Sequence, residues 1–166
     1  LEQLKLKPDL YSEVQSEYRS VLLFADEPIL HYILGIIQQQ SGQHPSALME
    51  FEQAVEMLQG DEDPILPQVL VHQAMADSYI SLGQANEALE QLKLGQSVAP
   101  ATPPALEHGA RFPFSTPLSQ GDMVRRMAEA YAASDDLEGA EQALTEAKKH
   151  LPYDRAIYTK LADIYF

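Results

Sequence analysis

The sequence contains no cysteine, so disulfide bonds and thiolate metal sites are both excluded. The missing cysteine does not fix the compartment, and cytoplasmic and periplasmic locations both stay open. No apolar run approaches the roughly 18 residues that a membrane-spanning helix requires. Residues 1–10 also lack the long apolar segment of a signal peptide. We therefore expect a soluble protein.

Basic side chains are scarce over half of the chain. Residues 20–92 hold eleven acidic side chains and no Lys or Arg, whereas residues 93–166 hold ten acidic and eight basic side chains. The net charge of the whole chain is −14. A protein that binds duplex nucleic acid needs a basic surface to replace counterions. Neither nucleic acid nor an anionic membrane is expected as a partner.

What the chain does contain is an internal repeat. In each copy a small residue is followed by a second small residue after 12 positions, a large apolar residue after 16 and another small residue after 19. Three copies start at Gly35, Ala76 and Ala128, and Leu161-Ala162 begins a fourth. The third and fourth copies are 34 residues apart, measured from Tyr131 to Tyr165. A period of this length is typical of helical repeat proteins.

The small residues predict where helices cross. Two antiparallel helices joined by a short turn approach closely only where both present a small side chain, because a larger one would push them apart. We predict three such crossings, each between the first and second helix of a copy. The pairs are Gly35 with Ala47, Ala76 with Ala88, and Ala128 with Ala140. Three later small residues, Ala54, Gly95 and Ala147, are expected where the next copy approaches.

These spacings resemble the tetratricopeptide repeat (TPR), whose pattern is W-x2-L-G-x2-Y, then A-x3-F, then P, over 34 residues. The tryptophan position holds His31, His72, Val124 or Tyr158 here. The resemblance covers about residues 28–166. It implies an all-α fold, a TPR-type right-handed superhelix of antiparallel helix pairs with about eight helices.

The pattern divides the chain into segments. Residues 1–27 form an N-terminal helix or a degenerate repeat, and both chain ends look like pieces of a longer array. TPR-like repeats are predicted at 28–61, 69–100 and 121–154, with a half repeat or capping helix at 155–166. Helices are expected near 10–26, 28–41, 45–59, 67–82, 85–98, 121–134, 137–150 and 154–165.

Two insertions interrupt the repeat. One is short and falls in residues 60–67, and the other is residues 101–120, which contain four prolines. A structureless loop of that length inside a domain is uncommon and often functional. We predict that it either contacts the concave face of the repeats or projects from it.

No pattern of catalytic residues is present. None of the five histidines has a partner at a metal-ligand spacing such as H-E-x-x-H, and His31 and His72 are interpreted as packing residues. The sequence also lacks a G-x-S-x-G motif and a glycine-rich phosphate loop. We expect no enzyme activity, no metal and no cofactor.

The resemblance implies that the first helix of each pair lines a concave binding surface. Two features of that surface stand out. The first repeat is apolar there, which predicts either a peptide groove or cover by the N-terminal helix or the long loop. The third repeat and the last helix carry a basic cluster, which predicts either capture of an acidic segment or local pairing with Glu129, Asp122 or Asp163. The predicted partner-binding residues are Ile29, Tyr32, Ile33, Ile36, Gln73, Asp77, Arg125, Arg126 and Lys160.

Two functions are compatible with these features. The first is a non-catalytic interaction module that binds a partner peptide or helix in its concave groove. The alternative is a structural spacer or regulatory segment of a larger enzyme or export and assembly machine, with the groove filled by its own loop. The expected partner is a protein or peptide carrying an acidic segment. Weak self-association through the last helix is also expected, because its apolar residues exceed what one neighbour can cover.

Overall fold

A computed structural model describes residues 8–59, 67–101 and 119–165, and the predicted insertions at 60–67 and 101–120 lie almost wholly outside these ranges. The described residues form eight α-helices and no strand, which confirms the all-α prediction. The helices are α1 (Pro8–Leu22), α2 (Pro28–Gln40), α3 (His44–Met57), α4 (Gln68–Ser81), α5 (Ala85–Val98), α6 (Gln120–Ala133), α7 (Leu137–His150) and α8 (Arg155–Tyr165).

Seven helices lie close to their predicted bounds, and α1 is the exception. It was predicted to reach residue 26 but ends at Leu22, where a turn begins. Pro28 prevents α1 and α2 from joining into one continuous helix, although α1 already ends at Leu22. The residue before a proline is pushed out of the α region, and Glu27 has φ −124° and ψ 137°. Pro28 itself then occupies the first turn of α2, where its missing N–H has no helical partner to lose.

The chain divides into two compact units. Unit 1 contains α1, α2 and α3, with α2 packed on α3 and α1 packed on α2. Unit 2 contains α4 to α8, in which each helix packs on the next. Within the described ranges, no helix is both long enough and apolar enough to cross a membrane.

The predicted helix crossings are closely packed. Ala47, Ala76 and Ala88 have no exposed surface, and Ala128 and Ala140 are 3% and 1% exposed. A Cβ added to Gly35 would collide with the ring of Phe51 on α3. The later small residues behave as predicted in unit 2, because a Cβ added to Gly95 on α5 would collide with Met123 on α6. Small residues are therefore required where helices meet, both within a pair and between successive pairs.

The same turn closes each helix pair. In all three turns a backbone N–H bonds to a carbonyl five residues earlier, at 2.8 Å from Gln43 to Gln38, 2.9 Å from Gln84 to Tyr79 and 3.0 Å from Asp136 to Tyr131. This is the Schellman arrangement, which needs one residue in the left-handed region. Gly42 and Gly83 supply it with φ of 79° and 74°, and the third turn uses Asp135 with φ 58°.

Candidate partner-binding site

The first helices of successive pairs in unit 2 are joined by ion pairs. Arg126 on α6 donates through Nη1 to Asp77 Oδ1 on α4 at 2.6 Å. Lys160 Nζ on α8 donates to Glu129 Oε1 on α6 at 3.0 Å. We call the surface formed by α4, α6 and α8 the first-helix face. It carries predicted binding residues from all three helices, and the ion pairs hold neighbouring helices together.

Arg125 completes this network. Its Nη1 lies 3.4 Å from Glu129 and its Nε lies 3.4 Å from Asp154, which precedes α8. The three cations of the basic cluster, Arg125, Arg126 and Lys160, are thus each paired with a carboxylate of the same unit. Local pairing with Glu129 was one of the alternatives left open by the sequence. The other partners, Asp77 and Asp154, were not anticipated.

Asp122, which the sequence offered as a partner for the cations, is engaged elsewhere. Its carboxylate accepts from the backbone N–H of Ser119 at 3.0 Å and from the Ser119 hydroxyl at 2.6 Å, while Ser119 Oγ accepts from the Asp122 N–H. This reciprocal pair is a capping box at the start of α6. The spacing S-x-x-D at 119–122 was a signal in the sequence that could have revealed it.

Asp77 is the most perturbed carboxylate of the first-helix face. Burial raises the pKa of Asp77 and the nearby Glu129 raises it further, whereas Arg126 and a hydrogen bond from Gln73 act to lower it. The net pKa lies above the ordinary value. A predicted binding residue on α4, Gln73, therefore contacts the same carboxylate that Arg126 holds from α6. Both Gln73 and Asp77 stay partly exposed.

Unit 1 presents the predicted apolar residues on α2. Tyr32 is 5% exposed, and its ring centroid lies 6.0 Å from that of Phe51 on α3. Tyr32 is consequently part of the core of unit 1. Ile29, Ile33 and Ile36 are each half-buried, so they supply the apolar surface that α2 leaves open. Helix α1 packs on α2, and Gln15 donates to Ser41 Oγ at 3.4 Å beside the end of that helix.

The described residues contain no cluster of three or more His, Cys, Asp or Glu side chains that could hold a metal ion. His31 and His72 instead occupy the same position of successive repeats, and each contacts the residue 19 positions later. His31 Nδ1 lies 2.7 Å from Glu50 Oε2, and His72 Nδ1 lies 2.9 Å from Gln91 Oε1. Asp26 adds a second carboxylate to His31, 2.9 Å from Nε2.

The two histidines have pKa values shifted in opposite directions. Burial lowers the pKa of His31, but the hydrogen bonds and charges of Glu50 and Asp26 raise it by more, so the net pKa is raised. Burial lowers the pKa of His72, and the neutral Gln91 offsets this only in part. The residue 19 positions after each histidine is a carboxylate in one copy and an amide in the other. This change accounts for part of the difference between the two pKa values.

Exchanging these downstream residues should reduce the difference between the two pKa values. Glu50→Gln should lower the pKa of His31, and Gln91→Glu should raise the pKa of His72. In the parent protein the His31 contribution to stability is complete below about pH 6.5 and is lost as pH rises through its folded pKa. The His72 contribution has the opposite sign, since it is complete above about pH 6.5 and is lost as pH falls through its folded pKa. NMR titration of the imidazole protons measures both values, and unaltered pKa values in the two variants would refute this explanation.

Solved structures match the arrangement of helices over most of the chain. A chain of the Cut9–Hcn1 hetero-tetramer of the APC/C superposes with a TM-score of 0.68 at 16% sequence identity, over 89% of this chain. A protein of Podospora anserina with nearly identical TPR-like repeats of the kinesin light chain type gives 0.64 at 18% identity, over 95% of this chain and 75% of its own. The chain has the tetratricopeptide-repeat fold. The resemblance first seen in the small-residue spacing is confirmed at the level of structure.

The solved structures differ in how much of their own length this chain spans. PcrH, in complex with the chaperone binding region of PopB, has a TM-score of 0.54 at 18% identity, and the match covers 82% of this chain and 90% of PcrH. By contrast, the chain spans only 25% of the matched chain of the Cut9–Hcn1 structure. No protein-family model and no curated protein matches this sequence.

Proposed function

We propose that this protein is a non-catalytic TPR interaction module that binds a segment of a partner protein on the first-helix face of unit 2. The observation that carries the proposal is the pairing of Asp77 with Arg126 and of Glu129 with Lys160. These pairs hold three successive first helices side by side, so the polar groups of the face are fixed before a partner arrives. A fixed surface lowers the entropic cost of binding.

The face offers polar side chains to solvent. Arg125 and Arg126 are 22% and 24% exposed, so each keeps part of its side chain within reach of a partner. Gln73 on α4 and Thr159 on α8 also reach solvent. An extended or helical segment would find donors and acceptors along all three helices, which is a common way for repeat proteins to recognise partners.

The likeness to known complexes supports a protein partner. PcrH is seen with the chaperone binding region of PopB, and Cut9 is seen in a hetero-tetramer with Hcn1. Both proteins share only the fold with this chain, so the identity of the partner does not transfer. What transfers to the proposal is the class of partner, which is a protein or a peptide.

The charge of the partner is a separate question. The sequence favoured an acidic segment bound by Arg125, Arg126 and Lys160. In unit 2 these three cations face three carboxylates, Asp77, Glu129 and Asp154, so the network is balanced. An acidic segment would have to compete with carboxylates that are already in place, and that expectation remains an untested prediction.

Unit 1 offers a second surface of different chemistry. Ile29, Ile33 and Ile36 are half-buried on α2, and no Asp, Glu, Lys or Arg lies between them on that stretch of helix. We propose that these isoleucines are apolar anchors for a partner segment. Their role is independent of the first-helix face of unit 2 and can be tested by itself.

Blocking the first-helix face should abolish partner binding without unfolding the protein. Gln73→Trp and Thr159→Trp place a bulky ring at a partly exposed point of α4 and at an exposed point of α8. Protein retained by each variant from an extract of the cells that make it would be quantified by mass spectrometry. We expect the partner retained by the parent protein to fall by about tenfold or more, because filling the centre of an interface removes its best-packed contacts.

Matched variants control for the added tryptophan. Glu90→Trp on α5 and Thr145→Trp on α7 place the same ring on exposed points of second helices. These variants should retain the partner as well as the parent protein does. Equal loss in all four variants would refute the proposal. If the parent protein itself retained no partner, the result would favour the alternative, a structural spacer within a larger assembly.

A further inference from the structure

Unit 2 contains an apolar groove beside the first-helix face, between α6, α7 and α8. Its volume is about 260 Å³, and its apolar lining includes Ala132, Leu137 and Ile164. The groove exists because alanines line α6 and α7 here, where larger side chains would fill the space. Its volume lies below the roughly 300–1,000 Å³ of typical small-molecule sites. It suits one or two side chains of a partner segment better than a metabolite.

The groove lies where α8 is least covered. Ile157, near the start of α8, has no exposed surface, whereas Ile164 is half-buried and Tyr165 is 59% exposed. The Tyr165 hydroxyl donates to Glu141 on α7, which ties the end of α8 to its neighbour through a polar contact. The end of α8 is therefore fixed in place while the apolar space beside it stays open to solvent.

The rim of the groove carries a negative charge that is not compensated. Lys160 and Glu129 line the groove and neutralise each other at 3.0 Å. Asp163, which also lines it, is exposed and forms no ion pair with any described residue. Asp136, next in sequence to the lining residue Leu137, accepts from the Gly139 N–H at 2.8 Å and caps α7. A cation carried by a partner would find Asp163 free to pair with it.

We propose that this groove binds an apolar side chain of the partner segment, of the size of leucine, flanked by lysine or arginine. The inference rests on the proposed function and adds the chemistry of the partner to it. The apolar side chain displaces water from the alanine-lined floor, which is favourable by burial of apolar surface. The flanking cation pairs with Asp163, which distinguishes this segment from an acidic one.

Two synthetic nine-residue peptides test the proposal directly. Each has a central leucine in a Gly/Ser background, flanked by lysines in one peptide and by glutamates in the other. NMR spectra of the chain should show shifts at Ala132, Leu137 and Ile164 with the lysine peptide. We expect it to bind about threefold or more tightly than the glutamate peptide at 50 mM salt. The difference should shrink at 300 mM salt, because the interacting charges are exposed.

Four variants distinguish the contribution of the apolar groove from the contribution of the Asp163 charge. Ala132→Phe fills the groove from an exposed position and should abolish these shifts, whereas Ala133→Phe, one residue along and also exposed, should not. Asp163→Lys should reverse the preference between the two peptides. Glu90→Lys makes the same change of net charge on α5, away from the groove, and should leave the preference unchanged. The last control excludes an effect of overall charge.

Several results would overturn the proposal. Equal or tighter binding of the glutamate peptide would refute the charge preference. Shifts at Gln73 and Asp77 with none in the groove would refute the groove while leaving the proposed function intact. Analytical sedimentation tests whether the chain self-associates. If Ala132→Phe abolishes self-association and Ala133→Phe preserves it, a second copy of the chain fills the groove and the proposal is wrong.

Discussion

Phe51→Ala should lower the free energy of unfolding of unit 1 by about 3–5 kcal/mol, the usual cost of removing a fully buried aromatic ring. Phe51 has no exposed surface, contacts the ring of Tyr32 and fills the space beside Gly35. Its removal would leave a cavity between α2 and α3 that backbone collapse cannot fill, because the helix crossing already brings Gly35 and Ala47 together. Amide exchange in α2 and α3 measures the loss, since protection there reports local unfolding.

Met49→Ala is the matched control for this loss. Met49 lies on the same helix as Phe51 but is 68% exposed, so its truncation should change the free energy of unfolding by less than about 0.5 kcal/mol. A similar loss of protection in the two variants would mean that Phe51 is not the residue that joins α2 to α3.

Ala128→Leu should destabilise unit 2 by about 1–3 kcal/mol, because a leucine at the buried crossing would push α6 and α7 apart. Ala128 is 3% exposed and its predicted crossing partner Ala140 is 1% exposed. The damage should spread to α8, because helices in repeat proteins depend on their neighbours. Thermal unfolding followed by circular dichroism gives the midpoint, and amide exchange shows whether α8 loses protection together with α6.

Ala133→Leu provides the comparison for Ala128→Leu. The same side chain is added five residues along the same helix, at a position that faces solvent. Its midpoint should stay within the small range of ordinary surface substitutions. Identical midpoints for the two variants would contradict the position of the helix crossing deduced from the repeat spacing.

The helix pairs could be predicted from sequence because steric demands repeat along the chain. A residue such as Ala76 must be small wherever two helices cross, and the same offset to Ala88 recurs in the other copies. The left-handed residue of each turn recurs as well, but Asp135 replaces glycine in the third turn. Residue type alone therefore does not show which residue of the third turn takes the left-handed conformation. Aspartate tolerates that conformation better than most residues do.

The ion pairs of the first-helix face could not be predicted in the same way. Asp77 lies 49 residues before Arg126, and no local spacing connects them. The pairing depends on how one repeat stacks on the next. Asp154 reaches Arg125 from the turn before α8, whereas the nearer Asp122 is occupied by Ser119. The sequence left local pairing of the cations open as one of two alternatives, and only the fold shows which carboxylates they contact.

The groove between α6, α7 and α8 could not be predicted from the sequence either. Its alanines are ordinary repeat residues, and their spacing explains helix contact equally well. A groove forms beside these alanines because the exposed fraction of the α8 side chains rises from Ile157 to Tyr165. That decrease depends on the docking of one helix and not on its composition.

Site-specific photo-cross-linking tests the central claim most directly, namely that a partner binds the first-helix face. Benzoylphenylalanine would be placed at Gln73 or Thr159 on that face, or at Glu90 or Thr145 on the second helices, in the protein as its own cells make it. We predict that irradiation joins the same partner to the first two positions and to neither of the others. Cross-linking only from Glu90 or Thr145, with none from the first-helix face, would contradict the claim.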